Sequence, residues 1–218
     1  MSPRNSAVEA RRTRDRIIER SVAVASVEGL EGLTIGRLAA DLGMSKSGLL
    51  GHFGTKEVLQ LAALERASVI FLASVWEPVA DTGPGLTRLR AVCERWIDYL
   101  EREREAFPGG CLFTTAVVEF DGRADGPVRD VVERLFRIWR RRLVVDLRLA
   151  VRAGELPADT DPRQIAFELI GLYMGLNHAI QLERDPQAPG RTRRALDRLL
   201  TPTPTPTPTP TLTPTSAS

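Results

Sequence analysis

The stretch MSKSGLLGHFGTKE, residues 44–57, gathers three glycines, the hydroxyls of Ser45, Ser47 and Thr55, His52, and the chain's two lysines, Lys46 and Lys56. Elsewhere the strong positive charge is carried by arginine. Ammonium, hydroxyl and imidazole groups suit the binding of phosphate oxygens and base edges. Lys46 and Ser47 fall on the first turn of a short helix opened by Ser45, where base contacts are made. Ser45, His52 and Lys56 are placed for phosphates, aided by backbone N–H groups at helix N-termini. Thr34, at the start of the preceding helix, is placed likewise. Ser47, Gly48 and Gly51 carry little or no side chain, so the helix backbone can come close to a nucleic acid.

Local signals define the elements that must hold these groups. Thr34 is a good N-cap, and Leu38 and Leu42 line one face of the helix it opens. Gly43 is suited to stop that helix in a left-handed conformation. Ser45 caps the next helix, Lys46 to about His52. Gly54 breaks it, and Thr55 caps a long helix that runs from Lys56 to about Val75. Leu38, Leu42, Leu49 and Phe53 supply the apolar contacts of the unit. Two short helices joined by a glycine turn make a helix-turn-helix, whose second helix enters the major groove of DNA.

Nearly every other segment also reads as helix, and the alternation expected of strands is absent, so the fold class is all-α. A first helix covers about residues 7–28, with Ile18, Val22 and Ala25 inward and Arg11, Arg12, Arg14, Arg16 and Arg20 outward. EPVADTGPG, after Val75, reads as a loop between a small N-terminal unit and a larger C-terminal one. Further stripes follow: Leu86, Leu89, Cys93, Trp96 and Leu100, then Cys111 to Phe120, then Val132, Phe136, Trp139, Leu143, Leu147 and Ala150. Asp161 and Pro162 open a helix that is apolar on two faces. One face is Ile165, Leu169, Leu172, Leu176 and Ile180; the other is Phe167, Gly171, Met174 and Leu182. A helix apolar on two sides must be covered on both, and a subunit interface is the expected cover. From Thr201 the alternation of Thr and Pro forbids helix and sheet ladders and predicts an extended, solvated tail.

The 218 residues suffice for one medium domain or two small ones, and 43% hydrophobic with 27% charged fits a chain that buries a core. A net charge of only +2 confines any nucleic-acid surface to a local patch. Cys93 and Cys111 make neither a disulfide framework nor a metal pattern. No run of 18 consecutive apolar residues occurs and no signal peptide begins the chain, so the expected location is the cytoplasm and no membrane partner is expected. There is no phosphate loop, nucleophile elbow or paired-carboxylate pattern. GGC, residues 109–111, is the one hint of a reactive thiol, and no histidine lies near it in sequence. The expectation is a protein that is not an enzyme and holds no metal or cofactor.

The segment GLEGLTIGRLAADLGMSKSGLLGHFGTKEVLQLAAL strongly resembles the DNA-binding region of the TetR family of bacterial transcription regulators. Gly32-Leu33-Thr34, Leu38-Ala39, Leu42-Gly43 with Ser45, and His52-Phe53 through Lys56-Glu57 carry the resemblance over about 50 residues. It implies an all-α homodimer with a helix-turn-helix domain at residues 1–55 and a ligand-binding and dimerisation domain at 56–200, which leaves the Thr-Pro tail at 201–218 outside both. By position it implies DNA contacts from Thr34, Lys46, Ser47, His52 and Lys56, and adds Arg37. It implies double-stranded operator DNA as partner, a roughly palindromic site, repression as the usual mode, and release on binding a small effector. Leu50 departs from the family's usual aromatic, commonly Tyr, so a phosphate anchor is lost and a packing role is expected instead. The alternative is a ligand-binding or adaptor protein of the same fold that no longer binds DNA.

On that reading the pocket is apolar and aromatic, with Trp96, Phe113, Phe120, Phe136, Trp139, Tyr173 and Met174 as candidates and a small apolar or aromatic effector as the occupant. Asn177 and His178 are the polar candidates for orienting it. For each, core packing is the competing role. Leu169, Leu172, Leu176 and Ile180 are the candidates for the dimer interface.

Overall fold

The computed structural model describes residues 3–201. The Thr-Pro segment 202–218, with its expected extended conformation, lies outside the described residues. Among those described, the regular elements are α-helices: α1 (Pro3–Glu28), α2 (Ile35–Asp41), α3 (Lys46–Phe53), α4 (Lys56–Phe71), α5 (Leu86–Arg102), α6 (Leu112–Phe120), α7 (Pro127–Arg152), α8 (Pro162–Gln181) and α9 (Ala188–Leu200).

The caps read from the sequence close these helices. The hydroxyl oxygens of Thr34, Ser45 and Thr55 accept the N–H of Arg37, Gly48 and Val58, so α2, α3 and α4 each satisfy one of their free N-terminal donors. Gly43 and Gly54, both at positive φ, turn the chain after α2 and α3. Asp161 caps α8 by accepting the N–H of Arg163.

α4 does not end in a loop where EPVADTGPG begins. Its path continues through a π-helical turn, Leu72–Trp76, and a 3₁₀ turn, Glu77–Val79. Pro78 has no N–H to carry an α-helix onward. The run Lys56–Val79 reaches the length and mean hydropathy of a membrane-spanning helix. Its apolar residues have a different use: α4 is packed by α1 and α3 on the N-terminal side and by α6 and α7 on the other. Leu59, Ala63, Leu64, Ala67 and Phe71 are buried there. A helix serving two cores at once is apolar around most of its circumference.

The C-terminal helices pack as α5 on α7, α8 and α9, α6 on α7, and α7–α8–α9 in succession. α8 settles which of its two apolar faces is inward. Leu169 and Leu176, each 2% exposed, lie in the chain's own core. Leu169 is therefore turned away from a second subunit, which corrects its place among the interface candidates, whereas Leu176 also lines the groove between α8 and α9. Leu172 and Ile180 are partly buried. The open face carries Phe167 and Leu182, 70% and 72% exposed, and Gly171 and Gly175, at which an added Cβ would meet nothing within 4 Å. α9 starts at Ala188 and runs to the edge of the Thr-Pro segment.

Candidate nucleic-acid interface and effector cavity

α2 and α3 bring the predicted DNA-contacting residues to one end of the chain. Thr34, Arg37, Ser45, Lys46, Ser47 and Gly48 are exposed; His52 and Lys56 are half-buried. Leu38, Leu49 and Phe53 are buried beneath them and hold the pair of helices on α1 and α4. Glycine costs a helix interior about 0.5–1 kcal/mol relative to alanine, and α3 carries two, Gly48 and Gly51. A Cβ at Gly51 would meet nothing within 4 Å, so no contact inside the chain demands glycine there.

Several of these side chains already have partners within the chain. The Ser45 hydroxyl accepts from Gly48 and lies 3.2 Å from the Ser47 hydroxyl. Arg37 is paired with Glu28. The Lys56 ammonium donates to the Glu31 carbonyl oxygen at 2.7 Å and to its carboxylate at 3.0 Å. That hydrogen bond holds the Glu31 carboxyl below its ordinary value. A phosphate must therefore compete with Glu31 for Lys56. Leu50 is 37% exposed on α3 rather than packed, contrary to the role expected for it.

The turn between α1 and α2 is tied to the C-terminal helices by polar contacts. Glu119 on α6 accepts the backbone N–H of Leu30 at 2.7 Å and of Glu31 at 2.8 Å. Gln60 on α4 donates to the Leu30 carbonyl oxygen at 2.8 Å. Gly29, at φ +76°, allows the approach: a Cβ there would lie 2.7 Å from a Glu119 carboxylate oxygen. Just before α6, the Gly109 N–H donates to the Ser26 hydroxyl at 3.1 Å, and a Cβ on Gly109 would lie 2.2 Å from the Ser26 carbonyl oxygen. Only glycine fits so near another backbone. None of these ties was expected from the sequence: Gln60 stands 30 positions from Leu30, and the other partners stand more than 80 apart.

Behind α6 lies a cavity of about 240 Å³ between α4, α5, α6, α7 and α8. Six of the pocket candidates line it: Trp96, Phe113, Phe136, Trp139, Tyr173 and Met174. Phe71 is the hub, with the rings of Trp139, Tyr99 and Phe113 edge-on to it at 4.8, 5.3 and 5.9 Å. Trp96 stacks on Tyr173 at 3.9 Å. Phe120 is buried away from the cavity, under Arg123. Asn177 is occupied structurally, its side-chain oxygen accepting the Cys111 N–H at 3.0 Å. His178 points outward, 3.6 Å from Glu183. Both are thereby removed from the cavity wall. Sequence reading missed Phe71, Cys111 and Arg142. The signal for Arg142 was its place one turn beyond Trp139 on an otherwise apolar stripe.

Cys93 and Cys111 are buried; burial pushes the Cys93 thiol up to about 12 and raises that of Cys111. Neither resembles an activated thiolate. Among the described residues, no group of three His, Cys, Asp or Glu is placed to hold a metal ion.

A helix-turn-helix at one end, carried on an all-helical body with an internal apolar cavity, is the architecture of a DNA-binding transcription regulator. Residues 17–63 match the family model of bacterial regulatory proteins of the tetR family, and residues 85–196 match that of the tetracyclin repressor-like C-terminal domain. The chain belongs to the TetR family. Solved structures share the fold. A TetR family transcriptional regulator from Cytophaga hutchinsonii is 24% identical over 88% of this chain and 94% of its own, with a TM-score of 0.74. A TetR regulator from Chloroflexus aurantiacus J-10-FL is 22% identical over 87% and 94%, with a TM-score of 0.75. AibR, solved with isovaleryl coenzyme A and operator DNA, is 20% identical over 87% and 99%, with a TM-score of 0.72. A search of curated proteins found no match. The family fold supports a DNA-binding transcriptional regulator and implies a dimer.

Proposed function

We propose that the chain is a ligand-responsive repressor, which binds a near-palindromic operator as a homodimer in the bacterial cytoplasm and releases it when a small effector occupies the cavity behind α6. The carrying observation is the position of α6. Phe113, Thr114 and Val117 on this helix line the cavity, and Glu119, two residues on, holds the turn that leads into the helix-turn-helix. An occupant that displaces α6 alters the seat of α2 and α3, and with it the spacing of the two recognition helices on two half-sites. The effector acts only through a difference in affinity between the two arrangements. A coupling of about 3 kcal/mol weakens operator binding roughly 150-fold.

In the DNA-binding unit, Lys46, Ser47 and Gly48 read base edges, while Thr34, Arg37, Ser45, His52 and Lys56 hold phosphates. The second copy covers the open face of α8 together with α9. A surface groove of about 750 Å³ runs between these helices, lined in part by Gly171, Leu172, Gly175, Ala188 and Leu199. Covering Phe167 and Leu182 removes apolar surface from water. AibR carries a small-molecule site and an operator site on one fold, which supports the same pairing of sites here.

Footprinting on the DNA flanking the protein's own gene, at two salt concentrations, tests the reading. Protection of a near-palindromic site that weakens steeply with salt supports it. An absence of salt-sensitive DNA binding anywhere in the genome favours the adaptor reading, to which the exposed Leu50 is the pointer.

A further inference from the structure

Two arginines stack on the same indole. Arg88 and Arg142 place their guanidinium carbons 5.2 and 4.6 Å from the centre of the Trp76 ring. Arg88 has a counter-ion: Asp146, buried, receives it through three contacts of 2.6–3.2 Å and also accepts the Gly85 N–H. Arg142 has none among the described residues. It forms no ion pair there, and its Nη1 is buried without a protein acceptor. Partial burial lowers its pKa.

Arg142 lines the cavity behind α6, and the cavity wall contains neither Asp nor Glu. One further polar group on the wall, Trp139 Nε1, is also buried without a protein acceptor, while the Tyr173 hydroxyl is engaged by Trp96 and the Cys111 thiol. Buried donors are normally satisfied, and two unsatisfied ones on one wall call for an explanation. Here an indole donor shares an aromatic wall with a cation that has no counter-ion among the described residues.

Resting on the reading of this cavity as the effector site, we infer that the effector is a small organic monoacid, an aromatic or apolar body bearing one carboxylate, with the carboxylate received by Arg142. The guanidinium fork matches a carboxylate in two parallel hydrogen bonds. The Trp139 indole N–H is a further free donor on the wall, and Phe71, Phe113 and Phe136 cover the body. A single cation in an apolar wall does not suit a phosphate dianion. The 240 Å³ volume is below the range of about 300–1,000 Å³ typical of drug-sized ligand sites, so the occupant is small.

The experiment uses the full chain near neutral pH and matched acid–amide pairs: benzoate and benzamide, 2-naphthoate and 2-naphthamide, octanoate and octanamide. Binding is read by calorimetry and by tryptophan fluorescence, since Trp96 and Trp139 line the cavity. The expected result is that at least one acid binds about tenfold or more tightly than its amide, as a lost hydrogen bond to a charged group implies. Arg142→Gln then brings the acid down to the level of the amide, and Arg142→Lys restores part of the difference. Circular dichroism checks that each variant is folded; if Arg142→Gln is not, Arg142→Lys alone carries the comparison and must weaken the acid without weakening the amide. Acid and amide binding equally, or an acid preference that survives in the variants, overturns the proposal. So does a panel in which no acid binds: if the amides still bind, the cavity stands as an effector site of another class, and if neither series binds, the reading of the cavity fails with it.

Discussion

The Glu119 carboxylate accepts the backbone N–H of Leu30 at 2.7 Å, and so joins the helix beside the cavity to the turn that precedes α2. The same carboxylate takes the Glu31 N–H. Leu30 is buried and its carbonyl oxygen is bound by Gln60. The turn is therefore gripped from α4 and α6 at once.

Glu119→Ala removes the acceptor of both N–H groups, and that of the buried Leu30 is left unsatisfied. It should lower stability by about 1–3 kcal/mol and leave operator affinity less sensitive to effector. Chemical unfolding gives the first number, and operator titration with and without ligand gives the second. Undiminished effector response in a folded Glu119→Ala protein would remove α6 from the path of coupling.

Gly51→Ala separates the needs of the helix from those of DNA. Space exists for the methyl group in the free chain. The variant should gain about 0.5–1 kcal/mol of stability, yet bind operator more weakly because α3 can no longer come as close. Thermal melts and a gel-shift series on one preparation report both effects. Equal operator affinity would show that the glycine serves no contact with DNA.

Glu31 titrates below its ordinary value of 4.5, chiefly because Lys56 donates a hydrogen bond to it. The ionised carboxylate is favoured in the folded chain, so its contribution is complete above that value and is lost as pH falls through the lower, folded-state value. Lys56→Met should flatten this part of the stability profile below about pH 4.5 and weaken binding to all DNA sequences alike, with a shallower salt slope. Unfolding curves across the acid range, paired with salt titrations, check the two effects.

The thiols should be inert. Cys93 and Cys111 are buried with raised pKa values, and iodoacetamide at neutral pH should modify neither until denaturant is added. Rapid labelling of Cys111 in the folded chain would reopen the idea of a reactive thiol at the start of α6.

The recognition unit was legible in the sequence because its signals are local. Thr34, Ser45 and Thr55 cap helices that begin one residue later, and Gly43 and Gly54 turn the chain where their positive φ is needed. Six aromatic and apolar cavity residues were also legible, since long amphipathic helices must point such side chains at a common core. What pattern cannot reveal is pairing at a distance. Glu119 meets Leu30 across 89 positions, Asn177 meets Cys111 across 66, and Arg88 takes Asp146 across 58, which leaves Arg142 alone. Periodicity likewise gave α8 two apolar faces of equal standing. The fold assigned Leu169 and Leu176 to the interior and left Phe167 and Leu182 in the open.

The central claim is that two copies of α3 read two half-sites. It is tested most directly by comparing affinity for the intact protected site with affinity for a fragment in which one half-site is scrambled, each across a series of salt concentrations. The account predicts a loss of at least about tenfold on scrambling, in line with the ~1–3 kcal/mol attached to each wrong base pair, and a shallower salt slope as phosphate contacts are lost. Equal affinity and equal slope for the two fragments would contradict it.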